Sequence, residues 1–242
     1  MTTLLRTDGI TKSFGGVRAL DDCTLEVEEG SITGLIGPNG SGKTTLFNVI
    51  TGYAKADAGA VYLGDRRITN TSPDKVFHAG IGRTFQLTRI FPTLTVLENM
   101  LVPASSASRK AGGVRRKAMD QLEFVGIAGH HDQLAGTLSY GQRKLLELAY
   151  VLVADPAVIL LDEPAGGVNP TLIGQIAERI AQLNAERQKT FLIVEHNMEF
   201  VMGLCARVAV LDAGSVVASG PPDIIRTDPR VLDAYLGVDV DA

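Results

Sequence analysis

The feature that most constrains this chain is a glycine-rich run, Gly37 to Thr44, with the sequence GPNGSGKT. It fits the pattern G-x-x-x-x-G-K-[ST], in which glycines let the backbone curl so that successive N–H groups point at phosphate oxygens. An apolar segment (31–36) precedes the run, and a helical pattern (45–51) follows it. This order of strand, loop and helix predicts an α/β sheet, with the helix N-terminus directed at a bound anion.

The residue types in this loop suit a bound triphosphate. Lys43 offers an ammonium group to the β- and γ-phosphates, and the Thr44 hydroxyl can ligate Mg²⁺. We therefore expect a phosphate-binding loop made of Gly37, Pro38, Asn39, Gly40, Ser41, Gly42, Lys43, Thr44 and Thr45.

Composition places the chain among ordinary globular proteins. Of its 242 residues, 45% are hydrophobic and 21% are charged, and the net charge is −4. This balance gives no sign of a general nucleic-acid binder, so we expect no nucleic-acid partner. Because no apolar stretch approaches the roughly twenty residues that cross a bilayer, we expect a soluble chain or a peripheral membrane subunit. Cys23 and Cys205 are expected to be buried and reduced.

Short apolar runs and helical patterns alternate along the rest of the chain. Strands are expected at residues 4–7, 23–27, 60–63, 81–85, 157–161 and 190–194, with a hairpin from 206–211 and 215–218. Residues 88–153 have helical periodicity, interrupted by a basic stretch, 105–117, that we interpret as a solvated loop. The simplest architecture is one α/β domain whose core comprises residues 1–87 and 154–242, with 88–153 inserted as a helical subdomain.

Polar side chains follow three of the predicted core strands at the point where each strand ends. They are Gln86 after 81–85, Asp162 and Glu163 after 157–161, and His196 after 190–194. Because ligand-binding residues gather at the carboxyl ends of parallel strands, we expect these side chains to face the phosphate loop. Taken alone, Asp162 and Glu163 are equally typical of a helix start, and the phosphate loop decides between the two interpretations.

These residue types suit the hydrolysis of a γ-phosphate, which needs a metal, a positioned water and charge stabilisation. Asp162 would hold Mg²⁺ directly or through water, and Glu163 would accept a proton from the attacking water. Gln86 can sense both the metal and the water. His196 can donate to the γ-phosphate and orient the water.

A further motif opens a helix in the middle of the chain, at Leu138–Gln142 with the sequence LSYGQ. Ser139 suits the N-cap, and small residues leave backbone N–H groups open to an anion. By itself the motif indicates a good helix start. Together with the phosphate loop it gives the chain two anion-binding helix N-termini, and two copies that face each other would use both for one nucleotide.

In their order and spacing these motifs resemble the ATPase subunit of ABC transporters, and the resemblance covers essentially the whole chain. It implies an ABC-type P-loop ATPase with a RecA-like core, an N-terminal antiparallel β subdomain and an inserted helical subdomain, binding ATP with Mg²⁺. The catalytic residues it implies are Lys43, Gln86, Glu163 and His196; the metal-binding residues are Thr44, Gln86 and Asp162. It also implies that Phe14 stacks on adenine, and that Ser139, Gly141 and Gln142 contact the nucleotide held by the partner subunit.

The resemblance also implies partners and a place in the cell. The ATPase would pair with a second ABC ATPase subunit, a copy of itself or, as the resemblance favours, a sister chain. It would dock through its helical subdomain on two integral membrane permease subunits at the cytoplasmic face of the membrane. A periplasmic or surface solute-binding protein would contribute indirectly. A GTPase-like switch would instead need an N-K-x-D element, which the sequence lacks.

Two departures from the common family pattern point to one branch. Tyr140 stands where Gly is usual, and Asn169 where Asp is commonest. Both are similar to the branch that serves branched-chain amino-acid uptake, as are residues 82–87, 91–99, 194–198 and 235–237. This implies ATP-driven import of branched-chain amino acids. Related ATPases for urea, amides or other small solutes, or of a lipopolysaccharide exporter, remain as alternatives.

Overall fold

The computed structural model describes residues 2–85, 90–103 and 113–236. An antiparallel sheet contains strands β1 (Thr3–Phe14), β2 (Val17–Glu28), β4 (Ala58–Leu63) and β5 (Arg66–Arg67) in the order β2-β1-β4-β5. A larger, mainly parallel sheet contains β3 (Ile32–Ile36), β6 (Ile81–Arg83), β7 (Val158–Asp162), β8 (Thr190–Val194), β9 (Arg207–Asp212) and β10 (Ser215–Gly220). Its order is β10-β9-β3-β8-β7-β6, with β10 antiparallel to β9.

Helices connect and cover these sheets. In chain order they are Lys43–Ile50, Pro73–His78, Val96–Leu101, Gly113–Phe124, Tyr140–Val153, Pro170–Arg187, Met198–Leu204, Pro222–Ile225 and Pro229–Leu236. Single 3₁₀ turns lie at Ala128–His130 and Ala135–Thr137. None of the helices in the described part combines the length and the hydrophobicity that a membrane crossing requires.

The parallel sheet is buried on both faces, and alternation along β8 shows how. Phe191 and Ile193 pack into the cluster that includes the helices of residues 96–153 and 170–187. Leu192 and Val194 pack on the opposite face, against the helix Lys43–Ile50 and the antiparallel sheet. Successive strand side chains point to opposite faces, so a strand covered on both sides is apolar at nearly every position. This is why the strand predicted at 190–194 is confirmed residue for residue. The exception in β8 is its first residue, Thr190, whose buried hydroxyl oxygen accepts a hydrogen bond from the Gly30 N–H.

Several predicted boundaries were wrong. Strands β1 and β2 extend to twelve residues each; irregular register in β1, between Thr7 and Ile10 for example, breaks the alternation that marks a strand. Strand β6 ends at Arg83 rather than at residue 85. Of the basic stretch expected as a loop, residues 113–117 are helical, since Val114 packs into the core there; residues 105–112 lie outside the described residues.

The helices of residues 96–153 form a layer against the core, with Val96, Met100 and Leu122 in the same hydrophobic cluster as the parallel sheet. The exact boundaries of the core and the helical subdomain stay predictions. Both cysteines are buried and free, as expected.

Candidate functional site

The strand order brings the ends of three parallel strands together. Strand β3 leads into the phosphate loop, β7 ends at Asp162, and β8, which lies between them, leads to His196. Asp162 is in register with Val194, the last residue of β8. The predicted residues at these strand ends therefore share one edge of the sheet. Gln86, predicted as a catalytic and metal-binding residue, lies outside the described residues.

The phosphate loop contains glycines that no other residue could replace without displacing the backbone. Gly37 has φ +149° and Gly42 has φ +108°, both in the region that favours glycine. A Cβ atom on Gly37 would lie 2.0 Å from the Leu211 carbonyl oxygen, and one on Gly42 would lie 2.4 Å from that of Ala19. The loop is thus wedged between β9 and β2, which fixes the start of the following helix at Lys43, two residues earlier than predicted.

Lys43 spans this loop. Its Nζ donates hydrogen bonds to the carbonyl oxygens of Gly37 (2.9 Å) and Pro38 (2.8 Å). Burial lowers the pKa of Lys43, and the negative charges of Glu163 and Asp162 oppose that change. Because this ammonium has lost part of its hydration, a bound anion would stabilise it more than it would stabilise a fully solvated lysine. Around it Ser41 is buried, Pro38 and Thr45 are half-buried, and Asn39, Gly40 and Thr44 are exposed.

Asp162 and Glu163 have different surroundings although they are adjacent. Asp162 is buried and its Oδ2 accepts a hydrogen bond of 2.9 Å from Arg83. Glu163 has φ +49°, which is uncommon for a residue with a side chain and turns the chain sharply after the strand. Its Oε1 lies 3.1 Å from Nε2 of His196. The predicted catalytic carboxylate and the predicted histidine are therefore in direct contact.

Glu195 is a buried charged residue beside the site that sequence reasoning missed. Its side chain is buried; Oε1 accepts a hydrogen bond from the Ala165 N–H (2.6 Å), and Oε2 accepts one from the His196 N–H (3.0 Å) and one from the Asn197 N–H (3.2 Å). This carboxylate joins the turn after Glu163 to the turn that carries His196. A charged residue directly between a buried strand and a histidine was the available signal.

Phe14, the predicted adenine-stacking residue, ends β1 and is 52% exposed. Lys12 Nζ lies 5.1 Å from its ring centroid. The next strand of the hairpin contacts the phosphate loop, since Ala19 and Leu20 are the neighbours that a Cβ on Gly42 would meet. Phe14 is thus an exposed ring on a hairpin that also borders the loop.

The LSYGQ segment lies in a second cleft, of about 810 Å³, that the described residues line without any contribution from the phosphate loop. Ser139 caps the helix: its Oγ accepts from the Gln142 N–H (3.2 Å), while Gln142 Oε1 accepts from the Ser139 N–H (2.9 Å). Gly141 packs against Leu172, and the Tyr140 hydroxyl donates to the Gly166 carbonyl oxygen at 3.3 Å. Within one chain the two sites are separate.

The residues present fit a triphosphate accompanied by magnesium. The loop has no room for side chains at Gly37 and Gly42, and a buried ammonium spans it. No group of three His, Cys, Asp or Glu side chains in the described part of the chain could hold a metal by itself. Mg²⁺ does not require one, because it is commonly bound by one or two carboxylates together with substrate phosphates.

Comparison with known proteins decides the family. The family model described as ABC transporter matches residues 20–166, and the model described as branched-chain amino acid ATP-binding cassette transporter matches residues 215–241. The chain belongs to the ABC transporter ATP-binding family. This cassette is 38% identical to the high-affinity branched-chain amino acid transport ATP-binding protein LivG of Salmonella typhimurium, over 97% of this chain and 98% of that protein.

Further relatives agree with this assignment. The probable LivG protein of Methanocaldococcus jannaschii is 39% identical, over 97% of each chain. The cassette resembles a crystal structure of an ATP-binding cassette of an ABC transporter in its ADP conformation, with a TM-score of 0.88 and 38% identity, covering 98% of this chain and 100% of that one. It also resembles a dimeric bacterial ABC transporter cassette, with a TM-score of 0.80 and 26% identity over 90% and 99% of the two chains. The cassette is an ATPase with the ABC-type fold.

Proposed function

We propose that this cassette hydrolyses MgATP to energise an importer of branched-chain amino acids, bound peripherally at the cytoplasmic face of the membrane. One structural observation supports the catalytic part: Glu163 and His196 meet 3.1 Å apart at the edge of the sheet that carries the phosphate loop. The match of residues 215–241 to the branched-chain amino acid family supports the solute.

ATP would lie between the hairpin and the phosphate loop. The Phe14 ring stacks on the adenine, and backbone N–H groups from Asn39 to Thr45 face the phosphates. Lys43, which now donates to loop carbonyl oxygens, turns its ammonium to the β- and γ-phosphates. The hydrogen bonds that hold Lys43 over the loop position this charge in advance.

Thr44, Asp162 and Gln86 are the proposed Mg²⁺ ligands, with Asp162 acting directly or through a water. When bound, the metal neutralises charge that develops on the phosphate oxygens. Asp162 suits this role because it is a buried carboxylate at the end of β7, at the sheet edge that the phosphate loop shares. Thr44 follows Lys43 at the start of the helix, with an exposed side chain.

In the hydrolytic step Glu163 accepts a proton from the attacking water. The water oxygen forms a bond to the γ-phosphorus while the bond from that phosphorus to the ADP oxygen breaks, giving ADP and phosphate. His196, in contact with Glu163, orients the water and donates to the γ-phosphate. General-base catalysis of this kind contributes typically about 10²–10⁴-fold to the rate.

A second ATPase subunit would complete each site. Ser139, Gly141 and Gln142 line the separate cleft, and we assign them to the nucleotide held by the partner subunit. The helix that Ser139 caps would direct its N-terminal N–H groups at the partner's γ-phosphate. Two permease subunits in the membrane, with a solute-binding protein outside, would select the solute.

Uptake by cells tests this proposal. In the host of this cassette, Lys43→Ala is expected to reduce uptake of labelled leucine to background, because the triphosphate loses its ammonium. Lys55→Ala, which removes an exposed lysine beyond the same helix, is the control and is expected to leave uptake unchanged. Loss of urea uptake with leucine uptake intact would select the urea alternative, and no loss of either would refute amino-acid import.

A further inference from the structure

Arg83 is a buried cation that the hydrolytic step above does not use. It is the last residue of β6, and its side chain is 6% exposed, as is that of Asp162. Its Nη2 donates to Asp162 Oδ2 at 2.9 Å. Its Nη1 donates to Asn48 Oδ1 (2.7 Å) and to Thr51 Oγ1 (3.0 Å). One guanidinium thus joins β6, the end of β7 and the helix that follows the phosphate loop.

Aromatic rings surround this guanidinium. The ring centroids of Phe85, Phe47 and Tyr53 lie 4.9, 5.5 and 5.9 Å from its central carbon. Rings at these distances attract a cation and keep water away from it. In such surroundings an ion pair is stronger than at the surface, and it fixes the two groups in one relative geometry.

The contact with Arg83 uses one oxygen of Asp162 and leaves the other available. In the described part of the chain no hydrogen-bond donor reaches Oδ1 of Asp162. The Asp162 backbone N–H donates to Thr84 Oγ1 at 3.2 Å, so the residue directly after Arg83 also holds the Asp162 backbone. A carboxylate with one oxygen held by a buried cation presents the second oxygen in a single direction.

We propose that Arg83 is a positioning residue for Asp162, and that it sets the direction in which this carboxylate meets the metal of MgATP. The inference rests on the proposed function, in which Asp162 binds Mg²⁺. Partners of this kind, which hold a ligand rather than the metal, typically contribute about 10–100-fold to metal affinity.

The geometry requires arginine rather than any cation. Arg83 contacts Asp162 with one terminal nitrogen and the pair Asn48 and Thr51 with the other, as a planar fork allows. Lysine has one nitrogen on a flexible stem, so Arg83→Lys keeps the charge and loses the fixed direction. Asn48→Ala keeps the arginine and removes one of its anchors. Both variants therefore weaken the hold of residue 83 on Asp162, the first by changing the cation and the second by removing its anchor.

The test separates metal binding from nucleotide binding. A non-hydrolysable ATP analogue is bound to the purified chain, and Mn²⁺ is titrated by electron paramagnetic resonance. We expect Arg83→Lys to weaken Mn²⁺ binding by about 10-fold or more, and Asn48→Ala to weaken it by a smaller factor in the same direction. Binding of the analogue in EDTA should stay within about twofold of the parent.

Lys189→Met is the matched control for the loss of an ion pair. Lys189 Nζ lies 2.7 Å from Asp155 Oδ1, before the amino ends of β7 and β8 and so at the sheet edge opposite the phosphate loop. We expect this variant to lower the melting temperature without changing Mn²⁺ affinity. If Arg83→Lys and Asn48→Ala also lower only the melting temperature, Arg83 is structural and the inference is wrong.

The same experiment distinguishes this inference from the proposed function. If Mn²⁺ does not raise the affinity of the parent protein for the analogue, the role of Asp162 as a metal ligand is contradicted, whatever Arg83 does. The variant Asp162→Asn shows how tightly Mn²⁺ binds when this carboxylate is missing. If Mn²⁺ raises the affinity for the analogue equally in the parent and in the Arg83→Lys and Asn48→Ala variants, only the role of Arg83 is contradicted.

Discussion

At the scale of single residues, the proposed hydrolytic step depends on the contact between Glu163 and His196. Glu163 side-chain exposure is 22%, so the carboxylate can reach a water molecule while still touching His196. We predict that Glu163→Gln lowers ATP turnover by at least about 100-fold, because an amide cannot accept the proton. Binding of MgATP should remain, since the loop and Asp162 are unchanged, and ATP-bound dimers should accumulate. Phosphate release and size-exclusion chromatography with MgATP measure the two effects.

The matched control is Glu199→Gln, which removes an exposed carboxylate from the helix Met198–Leu204, just beyond His196. Its turnover should equal that of the parent. Undiminished turnover in Glu163→Gln would remove Glu163 from the proposed step.

The burial of the two cysteines leads to a prediction about the reactivity of their thiols. Burial raises the pKa of both the Cys23 and the Cys205 thiols to about 12, with smaller contributions from Asp22 and Glu195 respectively. At pH 8 the thiolate fraction is then on the order of one in ten thousand, and the thiolate is the reactive form. We expect no reaction with Ellman's reagent in the folded protein at pH 8 and two thiols per chain in guanidinium chloride. Rapid native reaction of either thiol would contradict its burial.

At the scale of secondary-structure elements, the contact between Gly141 and Leu172 joins the helix Tyr140–Val153 to the helix Pro170–Arg187. A Cβ on Gly141 would lie 2.2 Å from Leu172 Cδ2, so the leucine or the helix would have to move. We predict that Gly141→Ala lowers the free energy of unfolding by about 1–3 kcal/mol, as overpacking does. Adding Leu172→Ala should recover part of that loss. Urea unfolding of the single and double variants measures both.

Gly174→Ala is the control within the second helix. No atom lies within 4 Å of a Cβ built there, so only the helix propensity changes. We expect it to stabilise the protein by about 0.5–1 kcal/mol. Equal effects at the two glycines would contradict the role of helix contact at Gly141.

The features of the fold that could be predicted from the sequence are those that a local pattern of residues specifies. Four of the five residues of strand β8 are apolar, so its bounds and the placement of His196 after it were predictable. The contact of Arg83 with Asp162 was not, because an arginine at the end of a short strand is normally exposed, and its partner lies 79 positions away. The helical structure of residues 113–117 was missed because clustered basic residues are typical of a solvated loop as well as of a helix surface.

At the scale of the whole molecule, the phosphate loop and the Ser139 cleft are separate within one chain, and the proposed function requires a second chain to bring them together. Ser139 and its neighbours line a cleft to which the phosphate loop contributes nothing among the described residues. If each nucleotide lies between the loop of one subunit and Ser139 of the other, defects in the two places should complement. Lys43→Ala and Ser139→Arg should each abolish ATP turnover alone, the first by loss of the ammonium and the second by filling the partner's phosphate site.

An equimolar mixture of these two variants decides whether the cassette pairs with itself. A mixed pair holds one complete site, formed by the intact loop of the Ser139→Arg chain and the intact Ser139 of the Lys43→Ala chain. With random pairing half of the dimers are mixed, so turnover should recover to roughly a quarter of the parent rate. No recovery, together with activity when the parent is combined with a sister ATPase, would mean a heterodimer. Full turnover by Ser139→Arg alone would contradict the shared site itself, because an arginine there should block the partner's γ-phosphate.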